Sequence, residues 1–92
     1  MDISNQYSSL KGYFNDSGKL TAYPGKRQKK RQSLILQYLA EKFESHRIYN
    51  EKEVNEILNQ YHIFEDPASL RRFLIGQGFL TRTNDGRIYQ KP

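Results

Sequence analysis

Cysteine is absent from the 92 residues, so neither a disulfide nor a thiolate metal site can hold this fold together. That suits a reducing compartment. Long apolar runs are absent too: nothing approaches the roughly 20 apolar residues of a membrane-spanning helix. The opening Met1-Asp2-Ile3-Ser4-Asn5-Gln6 has no apolar centre of a secretion signal. The expected location is cytoplasmic, with no membrane partner. Histidine is scarce, and His46 and His62 fall in different loops, whereas a nucleophile–base pair or a metal centre needs clustered Cys, His, Asp or Glu. Glu51, Glu53 and Glu56 read as helix-capping and solvated positions. No glycine-rich phosphate loop occurs. An enzyme is therefore not expected, nor a metal, a cofactor or a small-molecule substrate.

What is present suffices for one domain. With 36% hydrophobic and 13% aromatic residues, a chain of this length can build a single core without staples. Net charge is +5 and unevenly spread. Residues 1–40 carry seven basic and two acidic side chains, residues 41–66 three and seven, and residues 67–92 five and one. If the fold brings the two basic ends onto one face, the molecule acquires the electrostatic footprint of a polyanion binder. The competing reading is a solubilising mixture without direction.

Apolar spacing and cap chemistry place the elements. Leu10, Tyr13 and Phe14 stand at i, i+3 and i+4, which predicts a short helix over Tyr7 to Phe14, weakened by Gly12 and Ser8-Ser9. Asn15-Asp16-Ser17-Gly18 and Tyr23-Pro24-Gly25 are turn signals. A helix is expected from about Lys26 to Glu44, on the stripe Leu36, Leu39, Ala40 and Phe43. For the second helix, Asn50 is an N-cap with Glu53 at N3, Tyr49 and Val54 fit a hydrophobic staple, and Val54, Ile57, Leu58 and Tyr61 form the stripe. The third opens on Asp66 and Pro67, turns Leu70, Phe73 and Leu74 inward, and stops at Gly78, with Phe79 folding back. Asn84-Asp85-Gly86 between Phe79–Thr83 and Arg87–Lys91 signals a β-hairpin. Arg47-Ile48-Tyr49 is placed to add a third strand.

Helix, helix, short turn, helix, hairpin is the order of a winged helix, since His62 to Glu65 is the short link of a helix-turn-helix. The expected fold class is α+β: a small winged helix over 25–92, with its C-terminal hairpin as the wing. Residues 1–24 form an N-terminal extension with a short helix.

Three stretches carry a resemblance to a family. They are Gly18-Lys19-Leu20-Thr21-Ala22-Tyr23-Pro24-Gly25-Lys26-Arg27, then Tyr49-Asn50-Glu51-Lys52-Glu53-Val54-Asn55-Glu56-Ile57-Leu58, and Leu70-Arg71-Arg72 followed by Gly78-Phe79-Leu80. The chain resembles the bacterial family catalogued as domain of unknown function 2087, from about Lys11 to Tyr89. It departs from that pattern at Phe73, where a polar residue is expected, and over Ile63-Phe64-Glu65, which is longer than usual. The resemblance implies a winged-helix-like domain often fused to transcription-regulator domains, and no activity.

The candidate contacts are basic. Lys26, Arg27, Lys29, Lys30 and Arg31 crowd the N-terminal end of the first long helix, where the helix dipole disfavours each cation by about 0.3–1 kcal/mol. An external polyanion would reverse that repulsion, whereas a frayed, solvated helix start would merely tolerate it. Arg71 and Arg72, with Ser69 beside them, lie where a recognition helix enters the major groove. Their alternative is pairing with Glu56 or Glu65. Arg82 and Arg87 flank the wing turn, for phosphate or the minor groove, or else for stacking of an arginine on Tyr89. The preferred function is DNA binding, as a transcription regulator or accessory domain. The runner-up is a protein–protein or self-association module, with an acidic protein as partner and Ile75 and Ile63-Phe64 exposed. A structured RNA is a third.

Overall fold

The computed structural model describes residues 5–92. Met1–Ser4, most of the stretch read above for a secretion signal, lie outside the described residues. The architecture is a small α+β one. A 3₁₀ helix η1 (Asn5–Tyr13) precedes α1 (Lys29–Ala40), β1 (Ile48–Tyr49), α2 (Glu51–Asn59), α3 (Pro67–Gly76), β2 (Thr81–Arg82) and β3 (Tyr89–Gln90). The strands form one antiparallel sheet in the order β1-β3-β2. Ile48 and Tyr49 pair with Gln90 and Tyr89, and Thr81 and Arg82 pair with the same two residues from the other side.

The first segment winds as 3₁₀ rather than α, and its buried face changes accordingly. At three residues per turn, Tyr7, Leu10 and Tyr13 superpose along one side. Tyr7 and Leu10 are buried, and the Tyr7 hydroxyl donates to Glu41 Oε2 at 2.6 Å. Asn15 then closes a tight loop, its Oδ1 accepting from the N–H groups of Ser17 and Lys19. The loop delivers Leu20 into the turn between α2 and α3. There the Leu20 N–H donates to the Tyr61 carbonyl at 2.7 Å, and its carbonyl accepts from Ile63 N–H at 3.0 Å. Tyr7, Leu10 and Leu20 belong to the same core as Leu36, Leu39, Leu58, Leu70 and Leu74, so residues 5–24 and 25–92 share one interior.

Helix α1 is shorter than the expected Lys26 to Glu44. Lys26 and Arg27 form a turn, and Gln28 stands at the N-cap without a side-chain cap bond. At the other end, Lys42 N–H bonds the Leu39 carbonyl and Phe43 N–H that of Ala40, a tightened final turn. It still tucks Phe43 into the core.

Helix α2 begins as its sequence dictates. Asn50 Oδ1 accepts from Glu53 N–H at 2.8 Å, and Glu53 Oε1 accepts from Asn50 N–H at 2.9 Å. This reciprocal cap satisfies two backbone donors that a helix start leaves orphaned. Replacing Asn50 by Ala should lower stability by about 1 kcal/mol, read as a shift of the urea midpoint with an unchanged slope. Tyr49 and Val54 are both buried, while Tyr61 lies past the helix end and is half-buried.

Helix α3 opens on Asp66, whose Oδ1 accepts from Ser69 N–H, with Pro67 at the first position. Hydrogen bonding from Ser69, side chain and then backbone, holds the Asp66 carboxyl below its ordinary range. The helix ends as a Schellman motif: Phe79 N–H reaches the Leu74 carbonyl, Gly78 N–H reaches that of Ile75, and Gly78 takes a φ of +81°. Leu70 and Leu74 face the core, but Phe73, expected to point inward with them, is 40% exposed. Residues four apart superpose on a helix, whereas Phe73 is rotated about 100° from Leu74 and falls on the flank.

Candidate nucleic-acid interface

In the sheet, alternation puts Tyr49, Tyr89 and Arg82 on one face and Ile48, Gln90 and Thr81 on the other. The first face turns inward, because Tyr49 and Tyr89 are buried. Arg82 therefore projects toward the helices. It lines a cavity of about 260 Å³ with Arg71, Arg72, Ile75, Glu51 and Tyr89, so cations from α3 and from the hairpin converge on one hollow. Gly86 in the hairpin turn is required, having a φ of +73°, and a Cβ there would stand 3.4 Å from Arg82 Nη1.

The arginines are not equivalent. The Arg71 side chain is only 15% exposed. It donates to Asn55 Oδ1 and pairs with Glu51 at 3.3 Å. Glu51 and Asn55 are four apart on α2 and so share the face turned toward α3. Arg71 is thus committed within the chain, to Glu51 and not to Glu56 or Glu65, the pairings weighed from the sequence. A guanidinium held by a carboxylate and an amide cannot also reach a base edge without releasing them, and its place is to brace α3 against α2. Arg72 and Arg82 are exposed and make no ion pair among the described residues. The Arg72 guanidinium lies 3.5 Å from the half-buried Ser69 hydroxyl.

Arg87 lies apart from the hollow. Its side chain is 85% exposed and 3.7 Å from Asp85. Asp85 is held below its ordinary range by the Thr83 hydroxyl and the Arg87 N–H, so Arg87 belongs to the turn's own polar network. The cation–π contacts found run from Lys42 over Tyr38 and Tyr61 and from Arg47 over Tyr49, not over Tyr89.

Lys26, Arg27, Lys29, Lys30 and Arg31 are all exposed. Among the described residues none of them makes an ion pair. Arg31 donates to Gln28 Oε1, which also accepts from the Tyr13 hydroxyl at 3.0 Å. The uncapped N-cap at Gln28 is therefore fixed through its side chain to η1 and to the first turn. Lys26 and Arg72 meet across a groove of about 500 Å³ lined by Tyr23, Pro24, Gly25, Gln32, Leu36, Phe73, Gly76 and Gln77. The two basic stretches of the sequence are joined at this groove. The separation of charge is incomplete, since Glu51 of the acidic middle sits in the arginine hollow.

A family profile described as an uncharacterized protein conserved in bacteria (DUF2087) matches residues 19–91. The chain belongs to this family. No curated protein and no solved structure gives a significant match.

The matched span of this DUF2087 member contains all the basic candidates, as well as both histidines. His62 is buried in the α2–α3 turn, where Nδ1 lies 2.8 Å from the Leu58 carbonyl and Nε2 accepts from Asp66 N–H at 2.9 Å. That geometry assigns the neutral ring with its proton on Nδ1. His46 is exposed in a left-handed turn at φ 66°. Among the described residues no three His, Asp or Glu side chains gather as metal ligands, and no helix is long and apolar enough to cross a membrane. Two features escaped the sequence reading. The Glu51–Arg71 pair was signalled by the i, i+4 spacing of Glu51 and Asn55, whereas the stacking of Phe73 on Tyr23, 4.9 Å between ring centroids, had no local signal.

Proposed function

We propose that the chain is a winged-helix domain that binds DNA, acting as a transcription regulator or accessory domain and carrying no catalytic chemistry of its own. The observation that carries this reading is the convergence of Arg72 from α3 and Arg82 from the hairpin on one hollow, neither held in an ion pair among the described residues, although the Arg72 charge also acts on Asp66. The element order supports it: α2 and α3 follow one another through a short turn, and the hairpin packs directly after α3. In this reading α3 approaches the major groove with Ser69 and Arg72 toward the bases. Arg82 and Arg87 reach phosphate or the minor groove from the wing, and Arg71 positions α3 through Glu51 and Asn55. Lys26, Arg27, Lys29, Lys30 and Arg31 contact the backbone. Phosphate contacts supply affinity by counterion release, and base contacts supply preference.

The test is fluorescence anisotropy of mixed genomic duplexes at several salt concentrations. Lys29→Ala with Lys30→Ala should weaken all sequences alike and reduce the slope of log K against log salt by about 1–2. Arg72→Ala should cost about 1–3 kcal/mol on a preferred site and much less elsewhere. A wild-type chain that fails to bind duplex at low salt sinks the proposal.

A second reading, a protein-interaction module, is favoured by Ile48 and Ile88, which are 61% and 38% exposed. Strand alternation places Ile48 on the outer face of the sheet, and Ile88 immediately precedes β3. Ile63 is exposed as well, while Ile75 and Phe64, expected to share that role, are half-buried against the core. Concentration-dependent dimerisation that Ile48→Lys abolishes, in a chain that ignores DNA, would favour it.

A further inference from the structure

Phe73 is the one exposed phenylalanine or tyrosine among the described residues, and it lies between Arg72 and the buried Leu74. Its ring stacks on Tyr23 at an interplanar angle of 25°. The pair walls the groove of about 500 Å³ that Lys26 and Arg72 rim. Burial around Tyr23 raises its phenol above the ordinary value. The groove's edge is preformed: Gln32 Nε2 donates to the Pro24 and Gly25 carbonyls, both at 3.0 Å, and ties the Tyr23–Lys26 loop to α1. Gly76 lines the groove. It ends a helix where Gly is poorer than Ala by about 0.5–1 kcal/mol, and a Cβ added there would meet nothing within 4 Å. Arg72 also lines the arginine hollow beside it, so groove and hollow are adjacent along one basic surface.

A stacked aromatic pair that leaves Phe73 partly exposed in the groove, with cations on the rim, matches a ligand that is itself flat, apolar on its faces and anionic on its flanks. A paired base inside a duplex hides its faces in the stack, whereas an unpaired base offers them. We infer that the Tyr23–Phe73 groove receives an unpaired nucleobase of a DNA strand, stacked against Phe73, with the flanking phosphates held by Lys26 and Arg72. The inference rests on the reading of the basic face as a DNA interface. It adds to that reading a preference for bulged or locally melted DNA over perfect duplex.

The experiment compares three DNAs of one sequence with the full chain: perfect duplex, duplex with a single unpaired 2-aminopurine, and single strand. The bulged duplex should bind on the order of tenfold to a hundredfold tighter than the perfect one, the range that one base–aromatic stack supplies. The fluorescence of its 2-aminopurine should fall as the base stacks. Phe73→Leu should abolish both the preference and the quenching while leaving perfect-duplex affinity unchanged. Gly76→Leu, which fills the groove from a position with open space, should do the same, and it decides the matter if Phe73→Leu does not fold. Phe73→Tyr should keep both. Equal binding of bulged and perfect duplex, or a preference that survives both leucine variants, overturns the inference and leaves the duplex-binding proposal standing. Failure to bind any of the three DNAs overturns both.

Discussion

Replacing Leu20 by Ala should destabilise the chain by about 2–5 kcal/mol, as much as Leu58→Ala in the centre of α2, because both remove fully buried methyl groups and leave a cavity. The equality is the informative part. Leu20 sits in an irregular segment, where a leucine in a loose extension would cost less than 1 kcal/mol to truncate. Here its side chain is sealed in the core and its backbone is bonded on both sides to the α2–α3 turn, through Tyr61 and Ile63. Relaxation around the cavity is limited by those bonds, which fix the Leu20 backbone while the side chain is cut back. Urea denaturation of both variants, followed by circular dichroism, measures the effect. A Leu20→Ala midpoint equal to wild type would mean that the N-terminal segment does not pack as described.

His62→Ala should be comparably costly, at about 2–4 kcal/mol, since it removes a buried ring and orphans the Asp66 N–H, while the Leu58 carbonyl is left with only its bond from Tyr61 N–H. The ring is a strut: it connects the Leu58 carbonyl of α2 to the cap of α3, and Phe64 packs edge-on against it at 4.7 Å. Its loss should also loosen the start of α3, because Asp66 is held by the ring at its N–H and by Ser69 at its carboxylate. His46→Asn, on an exposed left-handed residue that Asn also accommodates, should change stability by less than about 0.5 kcal/mol. Thermal melts of the two variants give the comparison. Equal melting temperatures would refute the buried role of His62.

Much of the local architecture was legible because it depends on near neighbours. The Asn50–Glu53 box, the Asp66-Pro67 start, the Gly78 stop and the Asp85-Gly86 turn are each decided by residues within a few positions of one another. Capping and turn chemistry act over that range. The first segment differs in kind from what spacing suggests: Leu10, Tyr13 and Phe14 fit an α-helix, but Gly12 and the serines lower α propensity, and the segment winds as a 3₁₀ helix that buries Tyr7 along with Leu10. The start of α1, at Lys29, lies later than the sequence pattern suggests because five polar cations have no apolar phase, so nothing in the stripe from Leu36 onward marks where the helix begins.

The candidate site divides along the same line. Which side chains are basic, and that Arg71 and Arg72 fall in the first turns of α3, is written in the sequence. Which of them is spent and which is available is not, because that depends on the α2 face that packs opposite. Adjacent in the chain, Arg71 and Arg72 point about 100° apart on a helix. One meets Glu51 and Asn55, and the other looks onto the hollow and the groove. Phe73 likewise meets Tyr23 across 50 positions of sequence. Caps and turns are bonds between near neighbours and can be read one stretch at a time. The placing of a cation beside a carboxylate or an open groove is a contact between distant stretches, and only the packing of η1, the helices and the sheet around Leu20, Leu58 and Leu74 decides it.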